Sequence, residues 1–215
     1  MKLGVFDSGI GGEAVANALQ VTYPSAEILI VNDKAHVPYG DKPAADVIRL
    51  ADTAIQPLLT AQCDVIVLAC NTATALAIEA LRYRYPQQKF IGIEPMIKTA
   101  ASLTQTGIVA VCATPATLQS KRYHELTARF GEGLDIIEPN CRTWAHMIEH
   151  NQLNHQLIAE TIQACCDRGA DVIVLGCTHY HWIKEDIIAL TKGRARVIEP
   201  SEAIGRRIQA LLATP

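Results

Sequence analysis

Residues 64–70 read Asp-Val-Ile-Val-Leu-Ala-Cys, and residues 171–177 read Asp-Val-Ile-Val-Leu-Gly-Cys. Four successive β-branched or aliphatic residues fit a strand buried on both faces, the hallmark of a parallel sheet covered by helices on either side. In each copy the strand runs out through a small residue to a cysteine at its carboxyl end, the edge where open α/β sheets bind ligands. The second copy lies about half the chain after the first, and other segments keep nearly the same step. Ile93-Glu94-Pro95 recurs as Ile198-Glu199-Pro200, and Gly4-Val5-Phe6 has a fainter echo in Gly107-Ile108-Val109. The pattern predicts a duplicated chain of two related lobes, each contributing one thiol.

The rest of the sequence alternates strand-like and helix-like segments. Strands are expected over 2–6, 27–31, 65–68, 90–93, 108–112, 134–137 and 196–198, and in the second copy of the cysteine-bearing strand, ahead of Cys177. Helices are expected over 13–20, 46–59, 71–84, 118–130, 144–149, 157–168, 183–190 and 202–212, with Thr72 or Thr74 available to cap the third of them. Alternation of this kind implies an α/β fold of two pseudo-symmetric lobes, each a parallel-type sheet flanked by helices. Residues 1–94 with 200–215 are expected to form the first lobe, carrying Cys70, and 95–199 the second, carrying Cys177. The final helix would then return to the first lobe.

Composition narrows the class. The 215 residues are long enough to bury a substantial core, and with net charge −3 and 19% charged residues there is no basic excess for nucleic acid. No apolar run approaches the ~18 residues of a membrane span. The seven cysteines are odd in number and follow no legible export signal, so reduced thiols and a cytoplasmic location are expected. Cys63, Cys112 and Cys165 lie in apolar segments, where cysteine behaves as a small hydrophobe.

Two thiols on symmetry-related strands suit a reaction that needs a base on one face of a carbon and an acid on the other, such as racemisation at Cα. A free thiol has a pKa of roughly 8.5, so activation is required, and helix amino ends just after Cys70 and Cys177 would supply it. Two other readings compete. Gly9-Ile10-Gly11-Gly12-Glu13-Ala14 matches the dinucleotide-binding pattern G-x-G-x-x-A, with Asp33 ending the next strand at a ribose-binding position. Against it, the Asp7 carboxylate immediately before the turn would repel a pyrophosphate, and both cysteines would be left without a role. Cys177, His179 and His181 alternate like metal ligands, but no fourth ligand is evident, and no metal is expected. His36, His124, His146, His150 and His155 are scattered and default to solvated or locally bonded roles.

Four motifs carry a resemblance. Residues 5–12 (Val-Phe-Asp-Ser-Gly-Ile-Gly-Gly), 37–40 (Val-Pro-Tyr-Gly), 69–74 (Ala-Cys-Asn-Thr-Ala-Thr) and 176–180 (Gly-Cys-Thr-His-Tyr) resemble, in order, those of the glutamate racemases of the aspartate/glutamate racemase family. The resemblance implies two α/β lobes with the active site in the cleft between them, and cofactor-independent interconversion of L- and D-glutamate that supplies peptidoglycan synthesis. Cys70 would be the base toward D-glutamate and Cys177 the base toward L-glutamate. Asp7 would assist Cys70, and His179 would assist Cys177 together with Glu149. Asp7, Ser8, Pro38, Tyr39, Gly40, Asn71, Thr72, Thr117, Thr178 and His179 would hold the amino-acid substrate, and a homodimer is implied.

The chain departs from the family pattern at Ala116, Arg142 and His181, where glycine, proline and proline are usual. These changes fall in the second lobe and leave open two alternatives: racemisation of aspartate or another amino acid, and ligand binding without turnover. Arg142, Trp144, His181 and Trp182 motivate the latter as binding anchors. The Gly-Cys-Thr-His form of the second cysteine motif favours glutamate over aspartate, whose racemases tend to carry Gly-Cys-Thr-Glu.

Overall fold

The computed structural model describes residues 1–212. The chain divides into two compact units, one of residues 1–94 with the segment from Pro200 onward, the other of residues 95–199. In the first, β1 (Lys2–Asp7), α1 (Gly11–Thr22), β2 (Glu27–Asn32), α2 (Ala44–Ala54), α3 (Gln56–Thr60), β3 (Val65–Leu68), α4 (Asn71–Arg84) and β4 (Phe90–Gly92) follow in order. The second holds α5 (Ile97–Leu103), β5 (Ile108–Ala113), α6 (Pro115–Leu118), α7 (Lys121–Phe130), β6 (Asp135–Ile137), α8 (Trp144–Glu149), α9 (His155–Asp167), β7 (Val172–Gly176), α10 (Lys184–Thr191) and β8 (Arg196–Ile198). α11 (Ser201–Leu212) belongs to the first unit.

Each unit is built on a four-stranded, wholly parallel sheet, ordered β2-β1-β3-β4 and β6-β5-β7-β8, so the α/β expectation holds. The two cysteine-bearing sequences form β3 and β7, central strands of their sheets, and Val65–Leu68 is fully buried. Alternation along β3 sends Ile66 and Leu68 to one face, with Val47, Leu50 and Ile78, and Val65 and Val67 to the other, with Val15, Leu19, Ile204 and Ile208. Neither face is left for solvent, which is why the strand carries no polar residue.

The aspartate that opens each repeat has a structural task at the amino edge of the sheet. Asp64 accepts the Lys2 N–H at 2.7 Å, while Asp171 accepts the N–H groups of Gln105 and Thr106 at 2.6 and 3.0 Å. The repeats differ at one position for a packing reason. A side chain at Gly176 would place its Cβ 2.9 Å from that of Ala113, too close for the paired backbones, whereas Ala69 fits its counterpart position.

Several expected elements differ. The helix over 46–59 is two, α2 and α3, because Pro57 lacks the N–H that would continue the ladder across Ile55. The helix expected from 118 restarts at Lys121, where the Ser120 hydroxyl accepts the Tyr123 N–H at 3.1 Å. α5 was not anticipated; it buries Ile97 and Ala100 on the second sheet. Neither Thr72 nor Thr74 caps α4. Cys70 does, and Thr74 instead ties Leu68 O to Ile93 N–H. Among the described residues no helix is long and apolar enough to cross a membrane.

Candidate active site

In each sheet the chain runs from the first strand to one side and then back to the other, so β1/β3 and β5/β7 flank a topological switch point, where the crevice at the carboxyl edge receives ligands. Asp7 ends β1 and Cys70 follows β3; Thr114 follows β5 and Cys177 follows β7. The duplication thus places one thiol at the same point of each sheet.

In the first unit Cys70 has extended backbone angles (φ −105°, ψ 118°) and turns the chain from β3 into α4. Its sulfur accepts the Ala73 N–H at 3.4 Å and lies 3.4 Å from Ser8 Oγ. A thiolate at this point is met by a helix amino end, as expected from sequence, and also by the Ser8 hydroxyl, which was not. Asp7 is wholly buried and its Oδ1 accepts the Ser8 N–H at 2.8 Å, fixing the turn that presents Ser8 to Cys70.

The glycine-rich turn finds its explanation here, in packing. A Cβ at Gly12 would stand 2.7 Å from the Asp7 Cβ and 3.0 Å from Asn32 Oδ1, so only glycine lets α1 lie against the buried acid. Gly12→Ala is therefore expected to cost about 1–3 kcal/mol of stability by overpacking and to displace Asp7. A urea midpoint equal to that of the unmodified protein would contradict this.

The 37–40 loop lies in the same unit, with a cis peptide bond between Val37 and Pro38. Pro38 is half-buried, and Tyr39 and Gly40 are buried. The Tyr39 ring packs 6.3 Å from Phe6, and its hydroxyl donates to Asp33 Oδ2 at 2.7 Å. Burial, the Asp33 hydrogen bond and the nearby charges of Asp33, Cys70 and Asp7 together hold that hydroxyl firmly protonated. The N–H groups of Tyr39 and Gly40 meet no acceptor among the described residues. Beside Cys70, both ends of the Asn71 side-chain amide are likewise buried without a partner. Thr72, the next residue of α4, is buried too. Unsatisfied buried donors of this kind are uncommon in folded proteins and point to a ligand.

The second unit surrounds its thiol differently. No α-helix begins after Cys177; a 3-10 turn, Thr178–Ile183, does, and Cys177 gives it no side-chain cap, which corrects the expected helix amino end. Instead His179 Nδ1 lies 3.8 Å from Cys177 Sγ, and His179 Nε2 lies 2.7 Å from Glu149 Oε2. A carboxylate only accepts, so the ring proton sits on Nε2 and the Nδ1 lone pair faces the thiol. Both side chains are almost entirely buried. Local packing brings them together: Trp144 at the start of α8 meets Tyr180 edge-on at 5.2 Å, and Tyr180 donates to Cys141 O at 3.0 Å. These contacts press α8, and Glu149 at its end, onto the turn that carries His179. Thr178 is buried on the same turn, and in α6, just after β5, Thr117 is buried with its hydroxyl 3.0 Å from that of Thr114.

The remaining thiols belong to the core. Burial pushes Cys63 and Cys141 up and Cys165 up to about 12, as befits inert packing residues. Of the suggested binding anchors, Trp144 is core, whereas Arg142 and Trp182 are exposed. The His181 side chain is buried, with Nε2 3.7 Å from Glu199 Oε2. Asp33 has a place in the site that the sequence reading had assigned only to a ribose. Its position at the carboxyl end of the second strand was the available signal.

Comparison with known proteins agrees with this geometry. A family model described as Asp/Glu/Hydantoin racemase matches residues 13–207. The chain is 37% identical over 214 residues to the glutamate racemase of Ectopseudomonas mendocina, covering 98% of this chain and 81% of that protein. A glutamate racemase isoform of Bacillus anthracis superposes with a TM-score of 0.86 at 26% identity, over 98% of this chain and 81% of that one. The Francisella tularensis glutamate racemase, solved with D-glutamate, gives 0.82 at 29% identity, over 98% and 80%. With a match that runs from the first helix into the last, the chain belongs to the Asp/Glu/hydantoin racemase family.

Proposed function

We propose that this chain is a glutamate racemase that inverts Cα by two-base proton transfer between Cys70 and Cys177, without a cofactor. The observation that carries the reading is the pair of thiols at equivalent switch points, each with its own activating groups: Ser8 and the α4 amino end for Cys70, His179 and Glu149 for Cys177. The relatives' activity supplies the substrate.

In the direction from D-glutamate, Cys70 thiolate removes the α-proton and the Cys177 thiol delivers one to the opposite face. From L-glutamate the Cys177 proton passes to His179 Nδ1, the thiolate takes the α-proton, and Cys70 returns one. General acid–base steps of this kind contribute about 10²–10⁴-fold each. The Tyr39 and Gly40 N–H groups, the Asn71 amide and the hydroxyls of Ser8, Thr72, Thr117 and Thr178 are assigned to the substrate's carboxylates and ammonium. Hydroxyls, an amide and backbone N–H groups can fix a carboxylate without arginine. A cytoplasmic enzyme feeding D-glutamate to peptidoglycan is the role this activity fits.

Incubation with L-glutamate in D₂O, without added cofactor, tests the reading. The expected result is loss of the α-proton signal together with loss of optical activity. A protein that binds glutamate but leaves its α-proton unexchanged would overturn it.

A further inference from the structure

The loop assigned to the substrate carboxylate, residues 37–40, has no secondary structure of its own. What fixes it is a chain of polar contacts running to the surface. Tyr39 donates to Asp33 Oδ2, and His36 Nδ1 lies 2.8 and 3.0 Å from the two oxygens of the same carboxylate. Because Asp33 accepts, Nδ1 of His36 carries the proton and donates. The Asp33 backbone is itself anchored, its N–H bonded to Asp7 O at 3.0 Å, so the carboxylate is a fixed post at the end of β2. The His36 N–H also returns to Asp33 O at 3.1 Å, which closes the turn before the loop begins. The Asp33 side chain is only 12% exposed, whereas that of His36 is 51% exposed.

We propose that His36 is a positioning residue: by holding the Asp33 carboxylate in the orientation that receives the Tyr39 hydroxyl, it fixes the Tyr39 and Gly40 N–H groups for the substrate carboxylate. A carboxylate with one partner swings about its last bond; one held at both oxygens does not, and the loop inherits that restraint. The consequence for turnover rests on the racemase reading, whereas the restraint on the loop does not.

The test uses His36→Ala, which removes the donor, and His36→Asn, whose amide N–H stands close to the place of Nδ1. In the free protein, amide hydrogen exchange at Tyr39 and Gly40 should quicken in His36→Ala, return toward the original rate in His36→Asn, and stay unchanged in α4. With glutamate as substrate, KM should rise roughly tenfold in His36→Ala, the worth of one hydrogen bond, while kcat moves less than about twofold, and His36→Asn should recover KM. Unchanged exchange and unchanged KM in His36→Ala would overturn the proposal. If the unmodified protein exchanges no α-proton, the racemase reading fails, while the amide exchange still decides whether His36 holds the loop.

Discussion

Cys177→Ala is expected to yield a folded protein whose racemisation of glutamate falls by at least about 10³-fold, and Cys70→Ala should do the same, since each variant lacks one of the two proton carriers. Folding should survive. Neither side chain is a large core element, and Cys70→Ala gives up only a weak sulfur cap at the start of α4, about 0.5 kcal/mol at the low end of cap losses. The informative experiment follows solvent deuterium and optical rotation together. In Cys177→Ala the Cys70 base still stands, so D-glutamate should exchange its α-proton slowly with retention of configuration while L-glutamate does not exchange. Cys70→Ala should show the reverse. Full racemisation by either variant would rule out the two-thiol mechanism.

His179→Asn is the second large effect. It removes the lone pair facing Cys177 and breaks the bond to Glu149, and kcat/KM should fall by about 10²–10³-fold. Glu149→Gln keeps an acceptor for the imidazole but loses the charge that favours its protonated form; about tenfold is expected. The direction of these losses needs care. L- and D-glutamate have equal free energy in solution, so kcat/KM must fall equally in both directions however lopsided the damage. The asymmetry appears in α-proton exchange, which should weaken more for L-glutamate, the substrate of the Cys177 base, than for D-glutamate. Equal weakening for both enantiomers would mean that His179 does not serve Cys177.

The sequence showed the strands more clearly than the helices, for physical reasons. A two-sided buried strand leaves little latitude, and Val65–Leu68 and Val172–Gly176 stand where their composition puts them. Helix ends depend on single side-chain bonds. Ser120 restarts a helix and Pro57 divides one, and neither event changes hydropathy enough to be seen in a periodicity. Among the residues of the candidate site, Cys70 and Cys177 were legible because they end a repeated strand. Their activation was not equally so. Repetition suggested the same device twice, yet Cys70 stands at a helix amino end and Cys177 beside an imidazole on a tighter turn. Glu149 lies far from His179 in sequence, and only the Trp144 and Tyr180 packing shows why they meet. Asp33 and His36 were visible as residues but not as a clamp, since a carboxylate bonded at both oxygens is a property of three-dimensional structure.

α11 has a bearing on how the protein comes into being. Ile204 and Ile208 complete the face formed by Val15, Leu19, Ile91 and Ile93, Tyr23 donates to Gly205 O at 2.7 Å, and the absence of a side chain at Gly205 lets the helix approach Thr22. The first unit is thus closed by a helix translated only after the whole of the other unit, which is continuous and can finish its own core meanwhile. Until that helix arrives, the nascent chain carries an uncovered apolar face of the sort that chaperones hold and proteases find. A chain cut short before α11 would retain both thiols yet leave that face bare and open to proteolysis, so the stability of the first unit depends on a segment made only after the second.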